Sequence, residues 1–151
     1  PRDPGLNNDL GYTLADRGEQ LERALRMITL AVAAEPLNPA YLDSLGWVYY
    51  KLGQFELATK YLERATRLRA GQDPIVYDHL GDAEYRAGRR DAARAAWETA
   101  KRLFDERDED QRRPSDRDVL EAVQRKLEAL ETGAAPPVAP LAAPSEAGAA
   151  R

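Results

Sequence analysis

The sequence predicts an all-α fold, a solenoid of stacked helix pairs, from three columns of residues that recur in one register. Leu-Gly pairs recur every 35 residues, with their glycines at Gly11, Gly46 and Gly81. A second column of glycines and a column of prolines have the same spacing: Gly18, Gly53 and Gly88, and Pro4, Pro39 and Pro74. Periods of roughly 20–50 residues are typical of repeat architectures, in which each unit buries its apolar face only against its neighbours.

Each unit is predicted to be two antiparallel helices, A and B. In the middle unit, Gly46 on helix A is expected to face Ala58 on helix B, because two small residues let the backbones approach closely. Gly53 follows the last turn of helix A, where a residue with positive φ ends a helix at little cost. Pro39 suits the first turn of helix A, where the missing N–H would have no partner. Tyr49 is assigned to the surface between A and B.

The residue pattern of the units indicates a family. The middle unit reads Leu42-x-x-Leu45-Gly46-x-x-Tyr49, and then Ala58-x-x-x-Leu62 and Ala65. This pattern resembles the tetratricopeptide repeat (TPR) over roughly residues 4–105. The resemblance implies that residues 1–105 form three TPR units, at about 4–38, 39–73 and 74–105. Leu14 and Glu84 stand where the family has Tyr, and a carboxylate at position 84 is expected to disturb packing in the third unit.

Three segments follow the repeats. Residues 106–114 are nearly all charged and are predicted to be a linker or helix extension. Residues 115–132 are predicted to form a helix with one apolar face: Val119, Leu120, Val123, Leu127 and Leu130. Because a repeat array leaves its last apolar face uncovered, this helix is expected to cap the array, and binding of a partner is the alternative. Residues 133–151 are rich in Ala and Pro and are predicted to be a disordered tail.

The family resemblance also implies a binding surface. In TPR proteins a concave groove is lined by fixed positions of the A helices. These positions, carried over residue by residue, give a candidate partner-binding groove: Asn8, Tyr12, Asp16, Asp43, Trp47, Tyr50, Lys51, Asp78, Asp82, Tyr85 and Arg86. Trp47 and Tyr50 are expected to be exposed in this groove as anchors for a partner. The aspartates favour a partner with basic as well as apolar residues. The alternative is that the aromatic side chains only pack against neighbouring A helices.

Composition restricts the function classes. The formal net charge of −4 argues against a nucleic-acid partner, since such binders usually carry a basic excess. The chain has no Cys and one His, so neither a thiolate nor a multi-histidine metal site is expected, and no cofactor is predicted. No phosphate-binding loop and no nucleophile with a nearby base is visible, so no catalytic residue and no enzyme is predicted. Pro interrupts the longest uncharged stretch, so no membrane span is expected in this chain.

These observations predict a protein–protein interaction module, an adaptor or scaffold that binds a peptide or partner protein in the concave groove. The alternative is a structural end segment of a longer solenoid, or a self-association module. The stretches GYTLADRG and LDSLGWVYYKLG resemble the C-terminal repeats of long bacterial TPR proteins, some of which are outer-membrane lipoproteins. That narrower resemblance favours the periplasmic side of a bacterial cell envelope and leaves the cytoplasm open.

Overall fold

The structure, a computed structural model, describes residues 3–108, 110 and 112–143. The regular structure of these residues consists of α-helices and short 3-10 turns, such as that at Arg69–Gly71, so the all-α class is confirmed. None of the described helices is long and apolar enough to cross a membrane. The helices are α1 (Pro4–Arg17), α2 (Leu21–Ala34), α3 (Pro39–Lys51), α4 (Phe55–Thr66), α5 (Pro74–Arg86), α6 (Arg90–Asp105) and α7 (Pro114–Thr132).

The A helices α1, α3 and α5 start in the same way. Each has a polar N-cap residue followed by Pro in the first turn, and each cap side chain accepts a hydrogen bond from a backbone N–H of that turn. The caps are Asp3, Asn38 and Asp73. The turn glycines Gly18, Gly53 and Gly88 have φ of 70°, 75° and 81°, a region that other residues enter at a cost. The repeated Pro and Gly therefore set where helix A begins and where the chain turns into helix B.

Gly46 makes room for a large side chain of the paired helix. A methyl group on Gly46 would lie 2.5 Å from Cγ of Leu62 and 3.1 Å from the carbonyl oxygen of Ala58. The expected contact with Ala58 is present, and the residue that most needs the space is Leu62. Tyr49 packs between the helices as expected, with its ring stacked on Tyr61 at a centroid distance of 5.6 Å.

Glu84 is buried, yet its carboxylate has a partner. Arg89, at the start of helix B of the same unit, donates a short hydrogen bond from Nε to Oε2 of Glu84. The same guanidinium also donates to Glu56 Oε1 at 2.8 Å and to Thr59 Oγ1 at 3.0 Å. The expected disturbance at position 84 is therefore compensated by a cation that lies five residues further along the chain.

Helix α7 packs against α6. Val123 and Leu130 are buried in one cluster with Trp97, and Val119 and Leu127 lie against its edge. The preceding charged segment is tied down rather than simply solvated, because Arg107 donates to Asp73 at 2.9 Å and to Asp116 at 3.0 Å.

The Ala/Pro-rich tail differs from the prediction of disorder. Residues 134–143 have no regular secondary structure, but part of this stretch is held against the A helices by hydrogen bonds to its main chain. Residues 144–151, which belong to the same predicted tail, lie outside the described residues. The composition of a segment indicates whether it can bury an apolar core of its own. It does not indicate whether another part of the chain offers hydrogen-bond partners for the main chain of that segment.

Candidate functional site

The predicted groove aromatics of the middle unit are buried. Trp47 is 4% exposed and Tyr50 is 0% exposed. Their rings stack on each other at 4.8 Å, and Trp47 also stacks on His79 of α5 at 4.0 Å. The prediction that Trp47 and Tyr50 are open anchors is wrong, because α5 and the tail cover them. The other reading, that these rings pack against neighbouring A helices, holds for Trp47.

Several of the predicted aspartates have partners inside the chain. Asp16 accepts a hydrogen bond from Nε1 of Trp47 at 3.1 Å. Asp43 lies 2.8 Å from Nδ1 of His79, a residue buried between the A helices. Burial alone would lower the pKa of His79, but the negative charges of Asp43, Asp78 and Asp82 outweigh it, and the pKa is raised.

Asp78 and Asp82 share the amine of Lys126, which reaches them from α7. Lys126 Nζ lies 2.7 Å from Oδ1 of each carboxylate, and its side chain is buried. Burial opposes the charge on Lys126, yet the two carboxylates raise its pKa. Burial, together with the charge of Asp82, raises the pKa of Asp78 and outweighs the opposite effect of Lys126. Sequence reasoning missed Lys126, although it lies on the apolar face of α7, three residues after Val123 and four before Leu130.

The surface formed by α1, α3 and α5, hereafter the A-helix face, holds the tail at Ala139. The N–H of Ala139 donates to Asp82 Oδ2 at 3.0 Å. The carbonyl oxygen of Ala139 accepts from the Tyr50 hydroxyl at 2.5 Å and from Arg86 Nη2 at 3.3 Å. Arg86 Nε in turn donates to the Tyr50 hydroxyl at 3.3 Å. Both main-chain polar groups of one residue are thus satisfied by A-helix side chains.

The next carbonyl of the tail is bound by the neighbouring unit. Lys51 Nζ donates to the carbonyl oxygen of Pro140 at 3.2 Å. Lys51 and Arg86 are 35 residues apart and occupy the same repeat position. Two basic side chains of successive units therefore bind carbonyl oxygens of successive tail residues. Asp16 occupies this position in the first unit and has no proton to donate when ionised.

The ends of the bound segment reach the third and the first unit. Val138 packs at the edge of the cluster that contains Trp97, and Tyr85 lies against the same cluster. Ala142 lies beside Gly18, where an added methyl group would be 3.2 Å from the Ala142 Cβ. Residues 138–142 therefore run across all three units, close to the C-terminal ends of the A helices.

A second part of the predicted groove stays open. A cavity of about 520 Å³ is lined by side chains that include Asn8, Tyr12 and Asp43. Tyr12 is half-buried, and burial together with the charges of Asp43 and Asp16 raises its pKa. Within the described residues, no group of three or more His, Asp or Glu side chains is arranged to hold a metal ion.

The structure therefore gives the eleven predicted groove residues different contacts. Those that hold the tail are Tyr50, Lys51, Asp82 and Arg86. Those that line the open cavity are Asn8, Tyr12 and Asp43. Asp16 and Trp47 bind each other, Asp78 binds Lys126, and Tyr85 packs beside Trp97.

Comparisons with known proteins agree with this architecture. The model of the tetratricopeptide repeat family matches residues 39–70. The TPR repeat-containing protein PA4667 of Pseudomonas aeruginosa is 43% identical over 75 residues, which make up 50% of this chain. The chain spans only 12% of the length of that relative.

Solved structures show the same fold at low sequence identity. PcrH, in complex with the chaperone binding region of PopD, has a TM-score of 0.72 at 17% identity, over 85% of this chain and 91% of that one. The type III secretion translocator chaperone SycD of Yersinia enterocolitica has a TM-score of 0.73 at 17% identity, over 86% and 92%. The Sgt2 TPR domain of Aspergillus fumigatus has a TM-score of 0.65 at 23% identity, over 97% and 93%. The resemblance seen in the sequence is confirmed by the family model over residues 39–70, and the chain shares the all-α fold of these solved structures.

Proposed function

We propose that this chain is a protein-interaction module whose A-helix face holds a partner protein as an extended segment. The observation that carries the proposal is the double contact at Ala139, where Asp82 binds the N–H and Tyr50 and Arg86 bind the carbonyl oxygen. Hydrogen bonds to the main chain supply affinity for an extended peptide, whereas side-chain contacts supply specificity. PcrH, a protein of the same fold, is described in complex with a region of PopD, which supports a protein partner.

The structure changes the expected chemistry of that partner. The expectation of a basic partner rested on aspartates that were assumed to face solvent. Asp78 and Asp82 instead share the buried cation of Lys126, and Asp43 is paired with His79. The groups that remain for a partner are hydrogen-bond donors for carbonyl oxygens and one free carboxylate oxygen, which together suit an uncharged extended segment.

A displayed library of random twelve-residue peptides, panned against the full chain, tests this proposal. Retained peptides should bind Tyr50→Phe about three- to tenfold more weakly, because one hydrogen bond contributes about 0.5–1.5 kcal/mol. Tyr61→Phe is the matched control, since Tyr61 lies on α4 and stacks on Tyr49 away from the tail. A library that yields no saturable binder, or binders that Tyr50→Phe leaves unchanged, would contradict the proposal.

A second function, as the end segment of a longer solenoid, is favoured by one observation on α1. Leu10, Leu45 and Leu80 share a repeat position, but Leu10 is 42% exposed whereas Leu45 and Leu80 are 3% and 9% exposed. Leu45 and Leu80 are covered by the preceding unit, and Leu10 has no such unit among the described residues. The occupant that fits this face is a further helix pair of the same kind.

An engineered fusion tests this second function. A copy of residues 39–73 placed in register ahead of α1 should raise the melting temperature, because it covers Leu10 as Leu45 is covered. Leu10→Lys should cancel that gain in the fusion while changing the melting temperature of the original chain little. A fusion that melts at the temperature of the original chain would contradict the longer solenoid.

A further inference from the structure

The contacts that hold residues 138–142 are made to main-chain atoms. The N–H of Ala139 and the carbonyl oxygens of Ala139 and Pro140 take the hydrogen bonds described above. The side chains of Pro140 and Leu141 are exposed, while Val138 and Ala139 are half-buried. Ala139 itself lies against the apolar cluster that contains Trp47 and Tyr50. The clamped position thus requires a small side chain and a free N–H.

Asp82 is prepared for this contact by groups that do not touch the tail. Its Oδ1 receives Lys126 Nζ at 2.7 Å and Trp97 Nε1 at 3.2 Å. Its Oδ2 receives the N–H of Ala139. Because the two donors fix the carboxylate through one oxygen, the second oxygen is aimed at the segment before any segment binds, which lowers the ordering cost of binding.

The local sequence of the segment suits the same site. Ala139 precedes Pro140, and a residue before proline is restricted to extended conformations. Such a segment loses less conformational freedom when it docks. Pro at the clamped position would remove the N–H that donates to Asp82, so proline is excluded there. Proline at the next position keeps the carbonyl oxygen that Lys51 binds and favours the extended conformation of the clamped residue.

From these contacts we infer that the A-helix face recognises an extended segment through the main chain of a small residue that precedes proline, and that residues 138–142 are a built-in occupant which a partner segment must displace. This inference rests on the proposed function and deepens it. The segment is joined to α7 through only a few residues, so its local concentration at the face is high. The apparent affinity for an outside segment is its intrinsic affinity multiplied by the fraction of chains whose face is free, so an occupied face weakens binding.

One substitution in the full chain separates the occupant from the face. Ala139→Pro removes the N–H that Asp82 accepts and leaves every A-helix side chain unchanged. Ala143→Pro is the matched control, since Ala143 is an exposed alanine of the tail that follows residues 138–142. The probe is a fluorescein-labelled peptide of residues 134–143, AAPPVAPLAA, titrated with each chain and followed by anisotropy.

The expected result is that the probe binds the Ala139→Pro chain at least about tenfold more tightly than the parent, because more faces are free. The Ala143→Pro chain should behave like the parent. A second probe with Pro in place of the clamped alanine should not bind. Tyr50→Phe in the Ala139→Pro background should weaken binding of the first probe.

The remaining outcomes separate the two proposals. If the first probe binds the parent and the Ala139→Pro chain equally, with the same loss on Tyr50→Phe, the face accepts extended segments but residues 138–142 do not compete, and only the inference fails. If the first probe binds neither chain, while library peptides bind in a Tyr50-dependent way, the recognition rule fails and the proposed function stands. If neither the probe nor any library peptide binds, both fail.

Discussion

Lys126 places its Nζ 2.7 Å from Oδ1 of Asp82, so the last helix inserts a positive charge into the surface formed by the A helices. The same amine lies 2.7 Å from Oδ1 of Asp78. Two carboxylates one turn apart on α5 would repel each other if both were buried without a cation. Helix α7 is therefore joined to the array by a buried ion pair as well as by its apolar face.

Replacement of Lys126 tests this role. Lys126→Met keeps much of the side-chain volume and leaves Asp78 and Asp82 without their cation, and breaking a buried pair in this way costs about 3–5 kcal/mol of unfolding free energy. Urea titration followed by circular dichroism measures the loss. Arg125→Met is the matched control, because Arg125 is exposed on the same helix. Equal unfolding free energies for the two variants would mean that the amine does not stabilise the fold.

The pair of His79 and Asp43 predicts a pH dependence of stability. The pKa of His79 is raised above its usual value of 6.5, so the folded state binds the proton more tightly than the unfolded state does. The resulting stabilisation is fully present below about pH 6.5 and is lost as the pH rises through the folded-state pKa. We therefore expect the difference in unfolding free energy between the parent and His79→Gln to fall as the pH rises above about 6.5.

Denaturant titrations of both proteins across that range provide the measurement. Asp43, Asp78 and Asp82 act on His79 from α3 and α5, and they remain unchanged in the variant. If the difference in unfolding free energy stays constant or grows with pH, the folded state does not bind the His79 proton more tightly than the unfolded state.

Gly46→Leu tests the close approach of α3 and α4. Even a methyl group at this position would lie 2.5 Å from Leu62 Cγ, so a leucine must push the helices apart. Overpacking of this kind typically costs about 1–3 kcal/mol. Ala40→Leu, at an exposed position of the same helix, should cost much less. Thermal melts followed by circular dichroism compare the two, and coincident melts would contradict the packing of Gly46 against Leu62.

The sequence predicted those features that depend on residues close together in a unit. The column of Gly53 and its equivalents follows from the backbone geometry that ends a helix, so its spacing gave the helix pairs and their turns. The burial of Trp47 could not be read in this way. A repeat position indicates the side of the helix on which a residue lies, but whether that side is covered depends on segments far along the chain.

The partners of the predicted groove residues could not be predicted either, because they lie far away along the chain. Tyr50 binds Ala139, and Lys126 binds Asp78, across 89 and 48 positions of sequence. No local pattern encodes such a pairing. The lysine on the apolar face of α7 was the one available signal, because a buried amine requires a carboxylate. The tail offered no such signal, since the hydrogen bonds that hold it are made to main-chain atoms and leave no characteristic residue pattern.

The ion pair of Glu84 and Arg89 predicts that the two residues are not equally sensitive to substitution. Glu84 is buried, whereas 40% of the Arg89 side chain is exposed. Arg89→Met leaves a buried carboxylate without its cation, and this should cost about 3–5 kcal/mol. Glu84→Leu places an apolar side chain where the other two units have Leu14 and Tyr49. In that variant Arg89 keeps its hydrogen bond to Glu56 and its contact with solvent. That substitution should therefore be nearly neutral, since an apolar replacement of a buried charge often is.

The double variant Glu84→Leu with Arg89→Met completes the comparison. It removes the buried charge together with its partner, so it should be more stable than Arg89→Met alone and close to Glu84→Leu. Urea titration of the parent and the three variants gives the four unfolding free energies and the coupling between the two sites. If Arg89→Met costs no more than Glu84→Leu, the carboxylate does not depend on Arg89, and another partner or protonation of Glu84 must account for its burial.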